Sequence, residues 1–191
     1  SVGDNLRKNF GYAALSRIYH ELGIHTFLTN RQRHSKEQYD ANTIMKLLVY
    51  SRLLFPASKK SSYENRERFF EKTDYSLDDV YRCLSFLDKH RENLQIWLND
   101  RIRETYGRDT SLIYYDVTNY YFETDEQNDF LRKGLSKEHR PNPIIQMGLF
   151  MDNQGLPITY ELFPGNTNDC LTYRPNFGRI KKQFGLGRVI S

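Results

Sequence analysis

The stretch Ser111-Leu112-Ile113-Tyr114-Tyr115-Asp116-Val117-Thr118-Asn119-Tyr120-Tyr121-Phe122-Glu123 decides how this chain is read. Aromatic and β-branched residues dominate it, so it predicts one long β-strand with a single carboxylate near its middle. Side chains alternate across a strand, which puts Leu112, Tyr114, Asp116, Thr118, Tyr120 and Phe122 on one face. Asp116 thus interrupts a mostly apolar row, where desolvating an unpaired carboxylate costs on the order of several kcal/mol. Two readings follow. Either the carboxylate meets a metal ion, a substrate or a buried cation, or it stands at a sheet edge and faces water.

Upstream of this strand the apolar period is 3.6 rather than 2. Leu6, Phe10, Ala13, Ala14, Ile18 and Leu22 recur at helical spacing, and Gly23 ends the pattern. Residues 25–35 are polar and basic, with Arg31, Arg33 and His34 close together. Residues 42–55 are apolar on most sides, as expected of a central buried helix, and Pro56 stops them. Ser58-Lys59-Lys60-Ser61-Ser62 predicts a basic, hydroxyl-rich turn. Ser76 is placed to cap a helix whose first turn holds Asp78 and Asp79, with Val80, Cys83, Leu84 and Leu87 as its buried stripe. Leu94, Trp97, Leu98, Ile102 and Tyr106 mark one more helix, ended by Gly107. The change of period at Thr110 sets a domain boundary near 108–110: a helical domain, 1–108, and a second domain, 109–191.

Downstream, a polar segment carries acids first (Glu123, Asp125, Glu126, Asp129) and then cations (Arg132, Lys133, Lys137, Arg140). Residues 144–151 and 156–163 predict two strands joined by Asp152-Asn153-Gln154-Gly155, a hairpin signal. Pro164-Gly165-Asn166 makes a second sharp turn. A helix is expected over about residues 172–184, with Pro175 in its first turn and Gly185 as its stop. Arg188-Val189-Ile190 opens a further strand.

Bulk properties are permissive. At 191 residues the chain holds one large domain or two small ones, and 38% hydrophobic with 27% charged residues is a globular composition. The net charge of +4 arises wholly before residue 111, and the remainder is balanced. A modest basic excess permits a polyanionic partner without requiring one. Cys83 and Cys170 are isolated, which leaves no disulfide framework or metal spacing and fits a reducing, cytoplasmic compartment. The five histidines are scattered. No apolar run approaches the roughly 18 residues needed to span a membrane. Ser1 in place of Met, and an end directly after Val189-Ile190, suggest cut termini.

Strand with Asp, hairpin strand, third strand, helix and fourth strand is the opening order of a ribonuclease H-like fold. The expected class is therefore α+β: a helical domain followed by the first half of a ribonuclease H-like α/β domain. In that architecture the first strand places a carboxylate beside the end of the fourth, where a second carboxylate lies. Two or three such acids hold two Mg²⁺ ions that clamp the attacking and leaving oxygens of a phosphodiester.

Asp116-Val117-Thr118-x-x-Tyr121-Phe122 also resembles the first-acid motif of DDE-type insertion-sequence transposases. Gly134-x-Ser136-Lys137-x-x-Arg140-Pro141, Gln146-x-Gly148, Asp152-x-x-Gly155-x-Pro157, Pro164-Gly165-Asn166-x-x-Asp169 and Thr172 follow in the order seen in that family, and Pro56-x-Ser58-Lys59 is similar to it as well. The resemblance spans about residues 111–190. It implies Mg²⁺- or Mn²⁺-dependent cleavage at transposon ends and strand transfer into target DNA, with Asp116 as catalytic residue and first metal ligand. Lys133, Ser136, Lys137 and Arg140, with Lys59 and Lys60, would contact double-stranded DNA, and a homo-oligomer would pair two ends. The second acid is expected just beyond the strand that begins at Arg188, and the third much further on. One acid cannot organise two ions, so this chain alone is expected to be inactive. The competing readings are another ribonuclease H-like nuclease and a DNA-binding module without catalysis.

Overall fold

The computed structural model describes residues 10–33, 35–69, 71–121, 143–167 and 177–190. The chain divides into two compact units, Ser1–Arg101 and Ile102–Ser191. Helices come first and the sheet follows, so the fold mixes helical and sheet parts as expected.

The first unit is built from helices α1 (Tyr12–Glu21), α2 (Ile24–Gln32), α3 (Ala41–Leu54), α4 (Lys59–Glu64), α5 (Leu77–Lys89) and most of α6 (Arg91–Tyr106). Its core gathers Leu28, Ala41, Ile44, Tyr50, Val80 and Cys83, all fully buried. α3 is the central element, and Asp40 caps it by accepting from the Asn42 N–H. From α1, Tyr19 reaches in and donates to Asn42 Oδ1 at 2.7 Å. Burial pushes the Cys83 thiol up to about 12, so it behaves as a small apolar residue. Ser76 and Asp79 exchange hydrogen bonds at the start of α5, forming the capping box.

Three local expectations need correction. Residues 25–35, read as polar and basic with no element assigned, hold most of a helix, because Gly23 (φ 66°) turns the chain and α2 follows at once, burying Ile24, Phe27 and Leu28. The basic segment at Ser58 is not a turn: Ser58 accepts from the Ser61 N–H at 3.1 Å and thereby starts α4. Phe10 and Ile18, expected on the buried stripe of α1, are exposed.

The second unit is a four-stranded sheet in the order β3-β2-β1-β4, made of β1 (Leu112–Tyr121), β2 (Ile144–Met151), β3 (Pro157–Pro164) and β4 (Arg188–Ile190). β1, β2 and β3 form an antiparallel meander, whereas β4 runs parallel to β1. Gly155, at φ 79°, makes the β2–β3 turn. Before β4 comes α7 (Phe177–Phe184), the described part of the expected helix, ended by Gly185 at φ 63°. Its Ile180 and Phe184 are buried, and Phe177 stacks on Phe150 with ring centroids 6.4 Å apart. α7 therefore covers the sheet face that carries Ile113, Tyr115 and Phe150. Among the described residues, no helix is long and apolar enough to cross a membrane.

Candidate functional site

β1 puts Ile113 and Tyr115 under α7 and turns its alternate residues outward. Tyr114 and Tyr120 are 42% and 43% exposed, and Asp116 lies between them, exposed as well. Register places Leu149 of β2 opposite Asp116, with Met151 opposite Tyr114 and Met147 opposite Thr118. The apolar row seen in the sequence is real, but this face is open to water. Asp116 therefore incurs little of the desolvation cost expected of it.

The other side of β1 is met by β4. Leu112, Ile113 and Tyr114 pair with Arg188, Val189 and Ile190, and the strands are parallel, so β4 advances along β1 toward Asp116. A close approach accompanies the pairing on each side of β1. Gly187 lies against the Ser111 carbonyl, and Gly148 lets the Tyr115 ring lie across β2.

Asp116 offers one hard oxygen ligand of the kind Mg²⁺ and Mn²⁺ prefer. No group of three or more His, Cys, Asp or Glu able to hold a metal occurs among the described residues. Those residues do not by themselves make a two-ion site. His20 and His25, scattered in sequence, stand with ring centroids 4.5 Å apart, a pair and not a ligand cluster.

Lys59 and Lys60 belong to the first unit, at the start of α4. Lys60 lies 4.0 Å from Glu64 with both side chains exposed, a pair worth little. Lys59 has no ion pair among the described residues. Beside this helix is a half-open cleft of about 360 Å³ whose lining includes Phe55, Ser61, Asn65 and Arg68, with the Arg68 guanidinium 5.2 Å over the Phe55 ring. Lys133, Ser136, Lys137 and Arg140 lie outside the described residues, as do Pro141, Asp169 and Thr172.

No family model matches the chain. No curated protein matches it either. Two solved structures are similar to it: the Mos1 transposase paired-end complex with left transposon end, and a pre-cleavage Mos1 transpososome. Each is 13% identical with a TM-score of 0.26 and covers 79% of this chain. The chain spans 50% of the first and 49% of the second, about half the length of each. A likeness this weak says nothing of chemistry.

Proposed function

We propose that this chain carries the first metal-binding carboxylate of a DNA transposase, Asp116, behind a helical unit that binds DNA. The supporting observation is the placement of Asp116. It stands mid-strand in a sheet, its side chain turned to water, with parallel β4 advancing toward it from one side. The order of motifs around it, from Asp116-Val117-Thr118 to Pro164-Gly165-Asn166, supports the same reading.

In this reading a strand fixes the carboxylate more rigidly than a loop would, which suits a ligand that must hold an ion in place. A second carboxylate belongs on the line of β4. Asp116 would supply one ligand to a pair of Mg²⁺ or Mn²⁺ ions, whose chemistry would be to activate the attacking oxygen and stabilise the leaving oxygen of a phosphodiester. The residues of this chain have a narrower role: Asp116 binds and orients, while Lys59, Lys60 and the cations of segment 133–140 hold DNA phosphates. The substrate is double-stranded DNA, at the transposon ends and at the target.

Asp116→Ala in the intact protein tests this. Mg²⁺-dependent cleavage of a transposon-end duplex should fall by at least about 100-fold, since even the outer partners of metal ligands cost roughly 10–100-fold when removed. Duplex binding, followed by fluorescence anisotropy, should persist. Cleavage that survives the substitution overturns the assignment.

A further inference from the structure

We infer that the groove between α2, α5 and α6 binds the phosphodiester backbone of duplex DNA. This rests on the DNA-binding part of the function proposed above and assigns it a surface. Two adjoining hollows form the groove, of about 270 and 260 Å³, and both are lined by Asn30 and Arg31 of α2. Phe27, Phe86 and Trp97 supply apolar walls. Lys89 and His90, at the end of α5, stand at one end, and Asn93 and Asp100 line the half nearer Trp97.

The walls are held firmly. Trp97 donates from Nε1 to the Leu22 carbonyl at 3.0 Å and lies 5.8 Å from the Phe27 ring. The Arg31 guanidinium sits 5.3 Å over the same Phe27 ring, which orients it without neutralising it. Neither Arg31 nor Lys89 has a carboxylate partner among the described residues. Other arginines of this unit do: Arg82 is paired with Glu37, Asp78 and Asp79, and Arg91 with Asp88. Arg31 and Lys89 are thus unpaired among the described residues, and they outnumber Asp100, the carboxylate on the lining. The His90 pKa is lowered, first by burial and then by repulsion from Arg31 and Lys89.

Two unpaired cations, an imidazole and side-chain amides along an open groove, against the single carboxylate of Asp100, match a run of phosphate oxygens. An enclosed small-molecule site would surround its ligand, and this groove does not. An acidic protein segment is the rival occupant.

The test is the salt dependence of duplex binding by the full chain, read by fluorescence anisotropy. Each phosphate contact contributes about 0.9 to the slope of log K against log[salt]. Arg31→Ala with Lys89→Ala should lower the slope by about 2 and weaken binding about equally for all sequences, by about tenfold or more at roughly 0.1 M salt. The exchanged pair Arg31→Lys with Lys89→Arg should restore the slope. Lys181→Ala with Lys182→Ala, an equal loss of exposed charge on α7, should leave it unchanged. An unaltered slope in the first double variant, with circular dichroism and duplex binding retained, overturns the groove and leaves the DNA-binding reading standing. Absence of salt-dependent duplex binding by the unsubstituted chain overturns both. Capture of polyglutamate in place of DNA reassigns the groove to an acidic protein and overturns the inference.

Discussion

Gly187→Ala is expected to destabilise the second unit by about 3 kcal/mol or more, a figure that combines overpacking with lost ladder hydrogen bonds. A Cβ at this position would stand 2.2 Å from the Ser111 carbonyl oxygen, 2.7 Å from its carbon and 2.8 Å from its Cα. All three are backbone atoms, so no rotamer change relieves the overlap. The strand must move. The bonds at risk are Gly187 N–H to the Thr110 carbonyl at 2.7 Å and Arg188 N–H to the Ser111 carbonyl at 2.9 Å, which start the pairing of β4 with β1. Urea denaturation followed by circular dichroism measures the effect. Gly178→Ala is the matched control: it lies in α7 with nothing within 4 Å of its added methyl, and a helical Gly→Ala change there should be neutral or slightly stabilising. A Gly187→Ala midpoint equal to that of the unsubstituted chain would refute the close approach.

The second large effect is expected at the β2–β3 turn. Arg108 Nε lies 3.1 Å from Asp152 Oδ2, and their side chains are 0% and 1% exposed. The other Asp152 oxygen accepts from the N–H groups of Gln154 at 3.0 Å and Leu156 at 2.9 Å. Arg108 Nη2 donates to the Pro157 carbonyl at 2.8 Å, so one ion pair ties the end of α6 to both sides of the hairpin. Burial pulls the guanidinium below its ordinary pKa, and Asp152 opposes that pull. Removing one charge strands the other in a dry site, so Asp152→Asn and Arg108→Met should each cost about 3–5 kcal/mol. The pair Arg108→Met with Asp152→Asn should cost clearly less than the sum of the two single losses. It removes both charges, and the asparagine amide still offers an oxygen to the two turn N–H groups. A double-mutant cycle in urea measures the coupling, and strictly additive losses would rule it out.

Features written in local chemistry were legible in the sequence. Asp152-Asn153-Gln154-Gly155 gave the hairpin because the turn needs a positive φ at its last residue, and Ser76 with Asp79 gave the start of α5 because capping is a contact over three residues. α2 was hidden by polar residues among its apolar ones. The spacing of Ile24, Phe27 and Leu28 was its available signal. At Asp116 the alternation of β1 separated two faces correctly. It did not say which is covered, because Leu112, Tyr114 and Tyr120 are about as apolar as Ile113, Tyr115 and Val117. That choice is made by Ile180 and Phe184, far along the chain, and no pattern inside β1 encodes it. Likewise Arg31 and His90 looked ordinary alone, and only the packing of three helices makes them neighbours.

The parallel pairing of β4 also fixes an order of events during synthesis and folding. The hairpin of β2 and β3 closes over a short turn and can form within microseconds of its emergence. The contact between Thr110 Oγ1 and the Gly185 carbonyl spans 75 residues, a far longer loop closure than the hairpin's and a slower one. Until then β1 has its β2 partner and an open flank beside Asp116. β1 is thus paired on its β2 side before β4 settles along Leu112, Ile113 and Tyr114 on the other.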